Sequence, residues 1–193
     1  MKIRAIHLAL ASSLLLILAT SGCSRVMVQS DFDPSANFTS LHTYAWFAAE
    51  QPKSGDVRVD NPLLDTRVRA AVENALNSRG YIESDANPDF YLIYHAAVSK
   101  EIEVTTTRTA VYPPGWYGWY HVAPPVWVER QVPYTYDKGT LIVDIVDAKD
   151  QKLVWRGSIQ AELDKTATPQ QRRSRLDAAV SEMMAQFPPK PTK

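Results

Sequence analysis

A chain of 193 residues with one cysteine, Cys23, has no internal disulfide available to it, so its fold has to rest on packing. It also lacks an excess of either charge. Lys and Arg total 21 and Asp and Glu total 21, which removes the electrostatic footprint of a nucleic-acid-binding protein. After Cys23 no apolar run approaches the roughly 20 residues of a membrane-spanning helix. There is no internal repeat. The signatures that carry chemistry are missing too: no HExxH, no phosphate-binding glycine loop and no nucleophile elbow. His42, His95 and His121 lie far apart, and Asp31 and Asp33 beside Pro34 read as a solvated turn rather than a metal site. His95, near the end of an apolar strand, reads as a structural histidine. No metal, cofactor or catalytic residue is expected, and the chain is not expected to be an enzyme. A hydrolase whose site assembles only in space is the third reading, behind two binding roles developed below.

What is present begins at the amino terminus. Lys2 and Arg4 precede an apolar stretch from Ile6 to Ala19, which runs into Thr20-Ser21-Gly22-Cys23. A basic start, a short apolar segment and a small-residue exit describe a secretory signal peptide over residues 1–22. Small residues leading into a cysteine resemble the lipobox of bacterial lipoproteins, with Thr20 standing where leucine is usual. That resemblance implies cleavage before Cys23, a diacylglycerol on its sulfur and a third acyl chain on the new amino terminus. Ser24 in the next position resembles an outer-membrane address. A second cut also fits, because Ala19-Thr20-Ser21 has the small-x-small pattern of ordinary signal cleavage. It would release a soluble periplasmic protein. Acylation accounts for a lone thiol in an exported chain, and two acyl chains already anchor stably. With a first strand starting at Val26, residues 23–25 make a tether of about 10 Å at most. Such a tether holds the domain against the membrane.

The remaining chain fits one domain over residues 26–189, with a tail at 190–193. Val26-Met27-Val28-Gln29 and Thr43-Tyr44-Ala45-Trp46-Phe47 read as strands. Asn61-Pro62 opens a helix, Leu64, Val68, Val72 and Leu76 give it one buried face, and Gly80 ends it. Phe90 to Ala97 is a nearly continuous apolar run suited to a central strand. Glu101 to Val111 and Val126 to Tyr136 read as partner strands, with Pro133 confined to an edge or a bulge. Leu141 to Val146 and Leu153 to Leu163 alternate with period two. Pairs summing to 300 set Asp144 opposite Arg156, an expected exposed ion pair contributing about 0–1 kcal/mol. Thr168-Pro169-Gln170-Gln171 is a capping box, and Leu176, Val180, Met183 and Phe187 form the stripe of the last helix. The order ββαβββββα predicts an α+β two-layer sandwich, a mostly antiparallel sheet with two amphipathic helices.

These motifs resemble the bacterial lipoprotein family called domain of unknown function 4136. The matching residues are Asp33, Thr43-Tyr44-Ala45-Trp46, Gly80-Tyr81, Asn87-Pro88-Asp89, Gly139-Thr140-Leu141, Val154-Trp155-Arg156-Gly157 and Phe187-Pro188-Pro189. The resemblance covers Val26 to Pro189. It implies an envelope lipoprotein and brings no catalytic residues.

One segment fits neither helix nor regular strand. Tyr112-Pro113-Pro114-Gly115-Trp116-Tyr117-Gly118-Trp119-Tyr120-His121 continues through Pro124-Pro125 to Trp127. Three roles suit such rings: a hairpin tip that packs its own aromatics, a contact with a protein or glycan, or a lipid interface. Arg172, Arg173 and Arg175 are a second anomaly, because cations in the first turns of a helix oppose its dipole. They suit a phosphate-bearing headgroup, an acidic partner, or a solvated face pairing with Asp177. The candidate contact set is therefore Trp116, Tyr117, Trp119, Tyr120, Trp127, Arg172, Arg173 and Arg175, with Cys23 as the lipidation site. The leading expectation is a non-enzymatic structural or accessory component of the cell envelope, anchored through Cys23 on the periplasmic face of the outer membrane beside a protein partner. The alternative is a glycan- or lipid-binding module.

Overall fold

The computed structural model describes residues 26–47, 51–111 and 125–190. Cys23, Trp116, Tyr117, Trp119 and Tyr120 lie outside the described residues. Helix α1 (Pro62–Asn77) starts where Asn61 accepts a hydrogen bond from the Leu64 N–H at 3.0 Å. Past its end, Tyr81 N–H donates to Leu76 O at 3.2 Å and Gly80 N–H to Asn77 O at 3.0 Å. That pair is the Schellman arrangement, and it needs the φ of +87° that Gly80 supplies. Helix α2 (Pro169–Met184) opens with the capping box on Thr168 and Gln171. Both helices lay one face on the core: Val68, Val72 and Leu76 from α1, Val180, Met183 and Met184 from α2.

The six strands are β1 (Val26–Phe32), β2 (Thr43–Trp46), β3 (Ile82–Glu83), β4 (Phe90–Val111), β5 (Val126–Asp147) and β6 (Leu153–Glu162). They form one mixed sheet in the order β1-β6-β5-β4-β2-β3. Only β2 pairs in parallel, with β3 and β4. The α+β two-layer sandwich is therefore the architecture found, with three refinements. The runs read as separate strands at 90–97 and 101–111 form one strand of 22 residues, as do those at 126–136 and 141–146. A two-residue strand, β3, is added, and β1 continues through Asp31 to Phe32.

The β5–β6 register places Asp144 opposite Arg156. Arg156 grips the carboxylate with two bonds, of 2.6 and 2.7 Å, and His95 Nε2 lies 3.6 Å from it. The exposed pair expected from the sequence is corrected here: Asp144 is only 5% exposed. The short carboxylate sits under Arg156 and His95, while the long arginine reaches solvent. Removing Arg156 would strand a covered charge, a larger loss than for a surface pair.

On the helix face, Phe187 is the common neighbour of the aromatic core. Its ring centroid lies 5.4 Å from Tyr81, 5.5 Å from Trp155, 5.7 Å from Phe90 and 6.0 Å from Phe38. Trp155 is fully buried and lies over Gly157, where a Cβ would meet its ring and come within 2.6 Å of Met183 Cγ. Space rather than backbone freedom explains that glycine.

Asp89 ties β4 to β2. Its carboxylate accepts from the N–H groups of His42 and Thr43, both at 2.9 Å, and from the Thr43 hydroxyl at 3.0 Å. These bonds, led by the His42 N–H, hold its pKa below the ordinary carboxylate value. A depressed folded-state pKa gives stability above the unfolded value, lost as pH falls through the folded one. Denaturant titrations should therefore show a steeper loss as pH falls below about 4 for the parent than for Asp89→Asn, which lacks this proton. Equal acid slopes would remove Asp89 from the account.

Candidate functional site: the projecting arm

The helices and β6 cover only part of the β4–β5 ladder. Val26, Ala161, Gly139 and Val98 form one row across the sheet. Beyond it β4 and β5 continue as a two-stranded arm. From Ser99 to Val111 that is about 40 Å at the usual rise per residue. Residues 102–109 and 126–135 are all exposed. Isolated two-stranded ribbons are marginal in water, so the sequence supplies β-branched residues throughout: Ile102, Val104, Thr105, Thr106, Thr107, Thr109, Val111, Val126, Val128 and Val132.

The arm's base is fastened. Asp137 meets Lys165 Nζ at 3.0 Å and Arg58 Nη1 at 3.5 Å. The hydrogen bond from Lys165 is the main reason its carboxyl lies below the ordinary range. Lys138 pairs with Glu101 at 2.9 Å, and the Tyr134 hydroxyl donates to Glu162 at 2.6 Å. Further out, Arg108 and Glu129 pair across the strands at 2.6 Å. Sequence reasoning placed the rings of the tip in the candidate set and missed Ile102, Val104, Val128, Val132 and Tyr134. The signal was there: two runs rich in β-branched residues with no helix pattern nearby to cover them.

Of the expected contact residues, Trp127 lies on the arm beside Ala110 and is 64% exposed. The arginines lie on α2, which packs on β1, β6 and α1. Arg175 Nη1 donates to Asp164 at 3.0 Å, and Arg173 lies 3.8 Å from Asp177, the partner expected from spacing. Arg172 is exposed. Trp127 sits about 36 Å along β5 from Lys138, where β6 ends. The structure does not bring Trp127 and the arginines into one site.

A second feature is an open cleft of about 290 Å³ at the start of α1, lined by Gln51, Asp60, Asn61, Asp65 and Tyr94 among others. The Tyr94 hydroxyl donates to Asp65 at 3.0 Å, and burial raises its pKa. Among the described residues no group of three or more His, Cys, Asp or Glu could hold a metal ion. No helix among them is long and apolar enough to cross a membrane.

Fold and site together define a two-layer α+β domain with a long exposed β-arm. The chain belongs to the family described as Domain of unknown function (DUF4136), which matches residues 28–189. A comparison with curated proteins gives no match. Among solved structures, a PDZ domain protein from Parabacteroides distasonis ATCC 8503 is similar, with a TM-score of 0.52 and 17% identity. The match covers 94% of this chain and 40% of that protein, so the chain spans well under half of its relative's length. The dodecamer of a PelC point variant from Paraburkholderia phytofirmans matches with a TM-score of 0.43 and 11% identity, over 83% of this chain and 95% of that one. The first likeness is one of fold alone.

Trp127 on the arm and Trp155 in the core should separate cleanly in unfolding titrations. Trp155→Ala empties a closed site and should cost about 3–5 kcal/mol. Trp127→Ala should change stability by less than about 0.5 kcal/mol. A large loss at Trp127 would make the arm part of the core.

Proposed function

We propose that this protein is a lipid-anchored envelope protein with a non-enzymatic, structural or accessory binding role, and that the projecting arm is its contact surface. One observation carries the reading: Val26 and the root of the arm occupy the same row, at the same end of the sheet. With Cys23 acylated, only Ser24 and Arg25 separate the anchor from β1. The arm then leaves the domain on the membrane side and runs beside the bilayer rather than away from it. Charge supports a contact outside the hydrocarbon, because Arg108 and Glu129 lie on one face of the ribbon and Arg130 on the other. Burying them among acyl chains would be costly. Rows of threonine, valine and tyrosine with paired charges suit a protein surface or the headgroup zone.

A glycan- or lipid-binding module remains the second reading, favoured by exposed Trp127 and the stacked Tyr134 and Tyr136, 5.8 Å apart at 20°. In-cell photo-crosslinking with a probe at Trp127 tests the first. It should give a discrete protein adduct in the membrane fraction, lost on Cys23→Ser, which should also move the chain to the aqueous phase of a detergent partition. A wild-type chain that stays aqueous, or a probe that captures only lipid, would contradict it.

A further inference from the structure

The arm has two long edges, and they are not equivalent. Tyr94 N–H donates to Gln51 Oε1 at 2.9 Å, and Leu92 O accepts from Phe47 N–H at 2.9 Å. Both groups point away from β5, so the even-numbered residues of β4 aim their backbone polar groups at its outer edge. Pairing with β2 stops at Leu92 and Gln51 caps Tyr94. Along the arm, no described strand pairs with the outer edge at Ile102, Val104, Thr106, Arg108 and Ala110. No proline interrupts it. The β5 edge differs. Pro133 pairs with Val104, so its missing N–H falls on β5's outer edge and blunts it.

An unprotected strand edge is a template for another strand. The arm's charges point to which one. Lys100, Arg108, Arg130 and Lys138 balance Glu101, Glu103, Glu129 and Asp137. With no net field, the arm does not select an acidic or a basic partner, and it does not repel a copy of itself. Two copies of β4 paired antiparallel about a two-fold place side chains of like parity opposite each other. An axis at Lys100, Glu101, Glu103 or Arg108 would set that charge on itself. An axis at Ile102 opposes Glu101 and Glu103, and one at Val104 opposes Lys100 and Arg108. Between Lys100 and Arg108 only Thr105, Thr106 and Thr107 avoid every like-charged opposition.

We propose that two copies of this chain pair along the outer edges of their β4 arms, about a two-fold within Thr105–Thr107. The joined arms make a four-stranded ribbon, β5-β4-β4-β5, which removes the marginal stability of each alone. The pairing uses an edge and not the Trp127 face, so it stands whether or not Cys23 is acylated.

Cysteine scanning on the full chain tests it, with the parent, bearing Cys23 alone, as background. Thr105→Cys, Thr106→Cys or Thr107→Cys should give a disulfide-linked dimer under mild oxidation. Gln131→Cys, level with Thr106 on the other strand, should not. Thr106→Pro deletes an outward N–H without touching the β4–β5 ladder. It should weaken dimerisation about tenfold or more in sedimentation, with an unchanged circular dichroism spectrum, because each of the two copies loses one hydrogen bond. A parent that is monomeric at every concentration, or Gln131→Cys crosslinking as readily as the threonine variants, overturns the proposal. So does a monomer whose arm amides gain exchange protection only on adding phospholipid vesicles, which would assign the edge to lipid.

Discussion

The unbroken β4–β5 ladder is the constraint on which the rest depends. Its register holds from Phe90–Asp147 to Val111–Val126 without a bulge. One rigid pair of strands therefore serves two environments. Its inner half presents Phe90, Leu92, Tyr94, Leu141, Val143 and Ile145 to the helices. Its outer half keeps the alternation of faces, and residues 102–109 and 126–135 there are exposed. Domain and arm are thus a single mechanical element, and whatever binds the arm pulls directly on the core strands.

Much of the body was legible from short-range chemistry. Caps at Asn61 and Thr168, the left-handed Gly80 and the period-two pattern of 141–146 and 153–163 each state a local geometry. They agree with one another because all serve the same buried face. The Asp144–Arg156 opposition follows from parity together with the pairing of opposite charges. Its burial does not, because depth depends on flanking strands that periodicity leaves unspecified.

The arm was less legible for the same reason. Alternation predicts strands at 101–111 and 126–136 but says nothing about whether a second layer covers them. The strands expected from the sequence leave out Val98-Ser99-Lys100 and Asp137-Lys138-Gly139-Thr140. The structure carries both strands straight through, because a hydrogen-bonded ladder continues wherever the opposite strand continues. The short motifs of the family fall into place on the body: Thr43 and Asp89 form one knot, Trp155 and Gly157 one packing unit, and Phe187 joins the aromatic rings of both ends. These residues hold the domain together.

On the reading proposed above, the ribbon, exposed on both faces and along both edges among the described residues, is covered in the working protein. The most direct measurement is amide hydrogen exchange of the arm in native membranes, set against the purified chain held dilute. Coverage predicts that amides of Ile102, Val104, Thr106, Arg108 and Ala110 exchange at least about tenfold more slowly in the membranes, while those of the buried inner ladder are unchanged. Equal, rapid exchange of the arm in both states would contradict it.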